Sequence, residues 1–160
     1  MTEMPTSDHG EMPVYSVNED GILISTERSR IELAMVHGFL STSYWGEGIT
    51  LPQVERQVGA SLPFGLYIDG NMIGFCRVIS DYTRWAMLCD VIVLKEHQGR
   101  GYGRRLVRAA MDHPELRDVN RWILATKDAH GVYEPCGFTE LGKPEMWMER
   151  KLPKEGRRWR

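Results

Sequence analysis

The sequence predicts an α+β domain built on one mostly antiparallel sheet with helices on its faces. The first observation is a meander of three strand-like segments between residues 64 and 94, whose first turn is the hairpin dipeptide Asp69-Gly70. The second is a strand, a glycine-rich turn, a helix and a strand in succession between residues 85 and 126, which is typical of a parallel crossover. A chain of 160 residues, 42% of them hydrophobic, is long enough to bury one core without disulfides or metals.

The N-terminal part predicts a leader, a first hairpin and two helices. Residues 1–13 are polar, show no period and are expected to be a disordered leader. Tyr15–Ser25 contains short apolar runs separated by turn residues, which indicates a first strand or hairpin. Thr26 is expected to cap a first helix with an apolar stripe, and Thr50, followed by Pro52, to open a second short helix.

The rest of the chain predicts alternating strands and helices. Trp85–Leu94 is apolar on both sides apart from Asp90, as expected of a central strand that is covered on both faces. The other predicted elements are a hairpin of Phe64–Ile68 with Asn71–Ser80, a helix over Arg104–Asp112, a strand over Trp122–Thr126, a short helix over Asp128–Cys136 and a closing strand over Trp147–Arg150.

Composition excludes several classes of protein. The formal net charge of -2 gives no general field that would attract nucleic acid, and only the tail at residues 153–160 is locally basic. Apolar runs stop at four or five residues, so we expect neither a membrane span nor a secretion signal. The three cysteines lack the spacing of a zinc or redox site, which predicts buried thiols in a reducing, cytoplasmic setting and no metal.

The segment with the clearest chemistry is the glycine-rich turn after the central strand. Unpaired amides at a helix N-terminus point at one spot and the helix dipole favours negative charge there, so this turn predicts a phosphate or pyrophosphate site. Glycines let the backbone approach such a ligand closely, and arginines add positive charge. These residues are Gly99, Gly101 and Gly103 with Arg100, Arg104 and Arg105. Taken alone, they fit a tight turn with a solvated basic face equally well.

Two motifs, in the right order, resemble those of the GCN5-related N-acetyltransferase (GNAT) family. The first is Gln98-x-x-Gly101-x-Gly103, which is similar to the family's acetyl-CoA signature, and the second is Ala129-His-Gly-Val-Tyr133-Glu-Pro-Cys-Gly137-Phe138. The resemblance extends from about Tyr15 to Arg150. It implies a single acetyltransferase domain over residues 14–152 and a GNAT-like sheet that splays between the central strand and the following parallel strand, with the cofactor in the gap.

The resemblance also implies which residues hold the cosubstrate, acetyl-CoA. The loop amides, with Arg104, would bind its pyrophosphate, and the backbone of the preceding strand would bind pantetheine and orient the acetyl carbonyl. Thr126 stands where the family often has an asparagine that bonds pantetheine, and a hydroxyl can still donate one hydrogen bond. The implied cofactor-binding residues are Val91, Ile92, Val93, Gln98, Gly99, Arg100, Gly101, Tyr102, Gly103, Arg104 and Thr126.

Acetyl transfer to an amine needs a neutral nitrogen, a polarised thioester and a proton for the leaving thiolate. Tyr133 matches the family tyrosine that protonates or hydrogen-bonds the coenzyme A sulfur. The family's common base position is Met87 here, so no base carries over. The residues themselves offer Asp81 in a hairpin turn, Asp90 inside the central strand and Glu47 in an aromatic loop. Asp90 also fits a buried structural acceptor.

The predicted function is transfer of an acetyl group from acetyl-CoA to a primary amine of a small molecule, directly in a ternary complex. Tyr44, Trp45 and Phe64 are candidates for the substrate-binding wall, and aromatic residues that close the core explain them equally well. The alternatives are a peptide or protein amine acetyltransferase and a catalytically degenerate acyl-CoA-binding module. The identity of the amine and the existence of a homodimer are left open.

Overall fold

The computed structural model describes residues 12–153, so most of the predicted leader (1–13) and basic tail (153–160) lies outside the described residues. The strands are β1 (Ser16–Glu19), β2 (Ile22–Ser25), β3 (Leu62–Ile68), β4 (Asn71–Ser80), β5 (Trp85–Val93) and β6 (Arg121–Ile123). The helices are α1 (Leu33–Leu40), α2 (Leu51–Gly59), α3 (Tyr102–Asp112) and α4 (His130–Tyr133), with short 3₁₀ turns at Arg28–Arg30, Lys95–His97, Glu134–Cys136 and Pro144–Met146. Within this part of the chain, no helix has the length and apolar character needed to cross a bilayer.

The six strands form one sheet in the order of the sequence. β1 to β5 pair antiparallel, and β6 pairs parallel to β5 because α3 carries the chain back along the sheet. Parallel pairing joins Trp85–Met87 to Arg121–Ile123 and stops there, although β5 continues to Val93. The predicted α+β class, the mostly antiparallel sheet and the splay between β5 and its parallel neighbour are therefore confirmed.

Both faces of the sheet bury apolar side chains. Phe64 and Val78 belong to a cluster that includes Leu106 of α3. Phe75 and Ile92 belong to a second cluster with residues of α1 and α2. Because the middle strands are covered on both faces, they appear in the sequence as nearly continuous apolar runs.

The first helix begins later than predicted, and Thr26 does not cap it. The Thr26 N–H donates to the Tyr15 carbonyl oxygen (3.0 Å), and Thr26 Oγ1 accepts the Tyr15 N–H (2.9 Å). Thr26 thus prolongs the ladder of the first hairpin. A 3₁₀ turn at Arg28–Arg30 follows, and α1 begins at Leu33. Thr50 does open α2 as predicted.

The predicted closing strand at Trp147–Arg150 is wrong, because this segment has no strand pairing. The Trp147 ring packs edge-on against Trp85, with 5.8 Å between centroids, and the Arg121 guanidinium lies over both rings. Side-chain stacking therefore holds the segment in place of a backbone ladder. The alternation of apolar residues at Trp147–Arg150 predicted a strand with a buried face, but Met148 is 99% exposed.

Candidate active site

The turn between β5 and α3 has the conformation expected of an anion-binding loop. Gly99 and Gly101 have φ angles of 77° and 82°, in the left-handed region that favours glycine. Gly101 is the N-cap residue just before α3, and no side chain of the described residues makes a capping hydrogen bond there. The first amides of α3 therefore stay open to a ligand. The helix begins at Tyr102, two residues earlier than predicted, so Gly103 lies in its first turn.

The three arginines near this loop divide between two places. Arg100 and Arg104 are exposed beside the loop. Arg105 instead donates from Nη2 to the Glu19 carbonyl oxygen (3.0 Å) and forms ion pairs with Glu19 and Asp20 in the β1–β2 turn. Two of the three predicted charges therefore remain available to an anion at the loop.

The end of β5 offers backbone groups to the splay. The Val93 carbonyl oxygen accepts a hydrogen bond from Gln98 Nε2 at 2.9 Å, which ties the loop back to the strand. The Ile92 side chain is fully buried under α1 and α2, and Val91 and Val93 are half-buried. These apolar residues can hydrogen-bond a ligand only through their main chain.

β5 is irregular at Asp90. The pairing of β4 with β5 shifts register between Phe75 and Arg77, and Asp90 has a φ of 53°. The Asp90 side chain is 8% exposed; Oδ2 accepts from Arg77 Nε at 2.6 Å and Oδ1 accepts from Trp45 Nε1 at 3.1 Å. Both carboxylate oxygens thus have a donor, an arrangement that fits a structural acceptor better than a base.

Asp81 shapes the β4–β5 turn. Its Oδ1 accepts three backbone N–H groups, those of Thr83, Arg84 and Trp85, at 3.0, 2.8 and 2.9 Å. These bonds, the one from Trp85 foremost, lower the pKa of the Asp81 carboxyl below its usual 3.8. The turn also precedes β5, whereas the glycine loop follows it. The structure therefore does not support Asp81 as the general base.

Tyr133, at the end of α4, lines a cleft of about 460 Å³ beside β6. Other lining residues are Trp122, Ala125, Thr126, His130 and Phe138. The Tyr133 ring packs edge-on against Phe138, with 6.1 Å between centroids. Burial foremost, with smaller contributions from the nearby Cys76 thiol and Tyr44 phenol, raises the pKa of Tyr133 to about 12. The Tyr133 hydroxyl therefore keeps its proton throughout the neutral range.

Thr126 follows β6 and stands at the start of the α4 turn. Its Oγ1 accepts the Ala129 N–H at 3.1 Å. A hydroxyl that accepts one hydrogen bond still has its own hydrogen to donate. The position can therefore still offer one donor to a ligand in the splay.

The three aromatic candidates for the acceptor wall separate in the structure. Phe64 is fully buried against His113, with 5.9 Å between ring centroids, so the structure does not support its prediction as a substrate-binding residue. Tyr44 and Trp45 lie in the α1–α2 loop and are 60% and 48% exposed. The Tyr44 hydroxyl accepts the Lys127 N–H at 3.2 Å, and Lys127 Nζ lies 5.6 Å from the centroid of the same ring.

Sequence reasoning missed Arg77 and Lys127, which touch the predicted residues Asp90 and Tyr44. The sequence signal that could have pointed to this ion pair is a charge at position 77, in a strand predicted to pair with the one that holds Asp90.

The thiols also differ from the prediction: Cys76 is buried, but Cys89 and Cys136 are half-buried. Burial raises the pKa of Cys89, which disfavours the nucleophilic thiolate. Among residues 12–153, no three His, Cys, Asp or Glu side chains gather as a metal site.

The similarity to known proteins covers most of this fold. The model of the acetyltransferase (GNAT) family matches residues 33–138. A crystal structure from Xanthomonas campestris pv. campestris, described as an acetyltransferase of the GNAT family, is 44% identical in sequence. It superposes with a TM-score of 0.79 over 82% of this chain and 94% of that chain.

Polyamine acetyltransferases of Vibrio cholerae are more distant relatives. A spermidine N(1)-acetyltransferase from that organism is 32% identical over 78 residues, which are 45% of this chain and 45% of that protein. The crystal structure of the Vibrio cholerae spermidine N-acetyltransferase with CoA and spermine is 26% identical, with a TM-score of 0.62 over 78% of this chain and 84% of that chain. From the family match and the shared fold, the chain belongs to the GNAT family of acetyltransferases, which take the acetyl group from acetyl-CoA.

Proposed function

We propose that this enzyme transfers the acetyl group of acetyl-CoA directly to the primary amine of a small molecule, in a ternary complex. The observation that carries the proposal is the left-handed glycine loop at the end of a splayed strand, with Tyr133 on the helix after the neighbouring strand. The Vibrio cholerae relatives, named for spermidine, support a small-molecule acceptor. Three free cysteines support a reducing, cytoplasmic location.

The donor would be held first by its phosphates. The amides at the N-terminus of α3, a helix of 11 residues, favour an anion, and Arg100 and Arg104 add charge beside them. The main chain of residues 91–93 would pair with pantetheine, and the Thr126 hydroxyl would donate to it. The thioester would then lie along β5, where backbone amides can polarise its carbonyl.

Tyr133 would stabilise the departing thiolate by donating its hydroxyl hydrogen. The pKa of about 12 keeps the phenol protonated, so it can donate at every pH at which the enzyme works. The hydroxyl makes no hydrogen bond with any residue in the range 12–153, which leaves it available to the sulfur.

The acceptor must lose a proton before it attacks the thioester. An alkylammonium with a pKa near 10.4 is neutral in about one molecule in 2,500 at pH 7, which adds about 4.6 kcal/mol to the barrier. Asp81 already accepts three backbone hydrogen bonds and Asp90 is held in an ion pair. We therefore assign the general base to neither of these two carboxylates.

Two measurements test this function. Acetyl-CoA should raise the melting temperature, whereas ATP and NAD at equal concentration should not, because only a ligand that binds the folded state stabilises it. A panel of primary amines should then release free thiol from acetyl-CoA. An equal shift with ATP would indicate a generic phosphate site, and binding without thiol release would indicate an acyl-CoA-binding module. Thiol release with peptides but with no small amine would show that the acceptor is a peptide amine.

A further inference from the structure

Two neighbouring side chains of the α1–α2 loop contact opposite sides of the splay. Trp45 Nε1 donates to Asp90 on β5 at 3.1 Å, and the Tyr44 hydroxyl accepts the N–H of Lys127, which follows β6. Their rings meet edge-on, with 4.9 Å between centroids. We call Tyr44 and Trp45 the aromatic bridge, because they join the two strands beyond Met87 and residue 123, where direct pairing stops.

The aromatic bridge is also held from α1. Ser43 Oγ donates to the Leu40 carbonyl oxygen at 2.8 Å and accepts the Gly46 N–H at 3.1 Å. A Cβ at Gly46 would lie 2.6 Å from the Leu40 carbonyl oxygen, so the loop packs closely on the end of α1. The Phe39 ring lies 6.2 Å from that of Trp45. The bridge is therefore a built part of the fold.

The anchor of the bridge on β5 is a carboxylate whose charge is already compensated. Asp90 and Arg77 are 8% and 12% exposed, and Arg77 Nη2 also reaches Gln57 Oε1 of α2 at 3.4 Å. A carboxylate that accepts from a guanidinium and an indole has both oxygens engaged in directional bonds. The Asp90 side chain is thus arranged to hold Trp45 in place.

We propose that Asp90 is a positioning residue: through Trp45 it fixes the aromatic bridge over the splay, and the bridge places the acceptor amine against the thioester. The inference rests on the proposed function and adds to it the residues that determine acceptor binding. Within the chain, the Tyr44 ring already faces one alkylammonium group, that of Lys127, whose Nζ lies 5.6 Å from the ring centroid. The exposed indole of Trp45, beside Tyr44, offers a second aromatic face on which the amine of the substrate can bind.

The first test is Trp45→Phe, which keeps a ring but removes the donor to Asp90. The KM for the amine should rise about tenfold or more, because a hydrogen bond to a charged group is lost, while kcat changes less than about threefold. The affinity for acetyl-CoA should not change. Trp85→Phe is the matched control, since this indole lies on β5, the strand of Asp90, but outside the bridge. It should alter neither constant. An unchanged KM in Trp45→Phe overturns the proposal.

The second test, Asp90→Asn, separates positioning from general base catalysis. Asparagine tolerates a φ of 53°, and its amide oxygen can still accept from Trp45. The positioning role predicts that kcat falls by less than about tenfold and that the acidic limb of the kcat/KM profile stays where it is. A fall of about 10² or more together with loss of that limb would make Asp90 the base. If Asp90→Asn does not fold, the KM for the amine in Trp45→Phe still tests the positioning role.

A third measurement does not depend on turnover. In the ligand-free protein, Trp45→Phe should speed amide hydrogen exchange over residues 41–50 by about fivefold or more and leave α3 unchanged. Unchanged exchange in that loop overturns the bridge. If the wild-type enzyme releases no thiol with any amine, the proposed function fails, and the exchange result still shows whether Asp90 fixes the loop.

Discussion

Tyr133→Phe isolates the hydroxyl proposed to face the sulfur. The variant keeps the ring and its edge contact with Phe138. Because the hydroxyl has no hydrogen-bond partner among the described residues, its removal should change the free energy of unfolding by less than about 0.5 kcal/mol. For a chain of this length that corresponds to about 2 °C or less in Tm. Any larger loss of activity must then come from the reaction.

The raised pKa of Tyr133 sets the size of that loss. Complete proton transfer from a phenol of pKa about 12 to a thiolate whose conjugate acid has a pKa near 8.5 is uphill by a factor of about 3,000. We therefore expect Tyr133 to act by hydrogen-bonding the thiolate, with solvent supplying the proton. Removing one preorganised donor of this kind lowers kcat by about 10² to 10³. The Kd for acetyl-CoA should stay the same, because the charge develops only in the transition state.

The assay is free-thiol release at saturating amine and acetyl-CoA over a range of pH. A phenol of pKa about 12 does not titrate below about pH 10, so the ratio of wild-type to variant kcat should be constant from neutral to alkaline pH. Tyr82→Phe, which changes an exposed tyrosine in the β4–β5 turn, is the control and should retain full activity. The reasoning is refuted if Tyr133→Phe keeps more than about a tenth of wild-type turnover, or if the ratio shrinks as the pH rises.

Three further changes test the loop and the core. Gly101→Val should abolish the thermal shift given by acetyl-CoA in a domain that still folds, since a branched side chain blocks the backbone and disfavours a φ of 82°; calorimetry showing retained affinity would reject the loop. Arg104→Ala should weaken acetyl-CoA binding severalfold at low salt and less at high salt, and a salt-independent loss would contradict a screened charge. His113, 2% exposed, has its pKa lowered from 6.5 by burial against a smaller opposite effect of Glu115. The neutral His113 side chain makes its full contribution to the free energy of unfolding above pH 6.5, and this contribution is lost as the pH falls through the lower pKa that His113 has in the folded state. The urea midpoint should therefore fall between about pH 7 and pH 5. The substitution His113→Phe should reduce that fall.

Much of the site was predictable because its signals are local. The loop from Gly99 to Gly103 is contiguous, and its left-handed glycines follow from backbone sterics at those residues alone. Tyr133 is singled out because the contiguous segment from Ala129 to Phe138 resembles a GNAT motif. The two segments meet because a parallel crossover returns the chain beside β5, which is also a sequence-level rule. No long-range side-chain contact had to be known for either.

Phe64 and Thr26 show where local patterns fail. In a strand that is covered on both faces, alternation does not say which face a side chain takes, and Phe64 faces the α3 side. A threonine before an apolar stripe can cap a helix or extend a hairpin. Thr26 extends the hairpin because its partner, Tyr15, lies across the turn, a contact that depends on the register of β1 with β2.

Asp90 shows the same limit at the centre of the site. Successive residues of a regular strand point to opposite faces, so Leu88, Asp90 and Ile92 would all face the same way. Leu88 lies in the α3-side cluster but Ile92 lies in the cluster under α1 and α2, so the strand changes face between them. The change occurs at Asp90, where φ is 53° and the register with β4 shifts.

The charge of Asp90 gives a physical reason for this irregularity. Without the bulge, the carboxylate would enter the apolar cluster beside Leu88, where an unpaired charge costs several kcal/mol. A left-handed residue costs about 1 to 3 kcal/mol, and it turns the carboxylate to the face where Arg77 and Trp45 donate to it. The sequence shows that a charged residue lies inside an apolar central strand, where its burial is unfavourable. The partners that compensate this charge depend on the pairing of two strands and on a loop 45 residues away. The same contacts give Asp90 its proposed role in positioning the aromatic bridge.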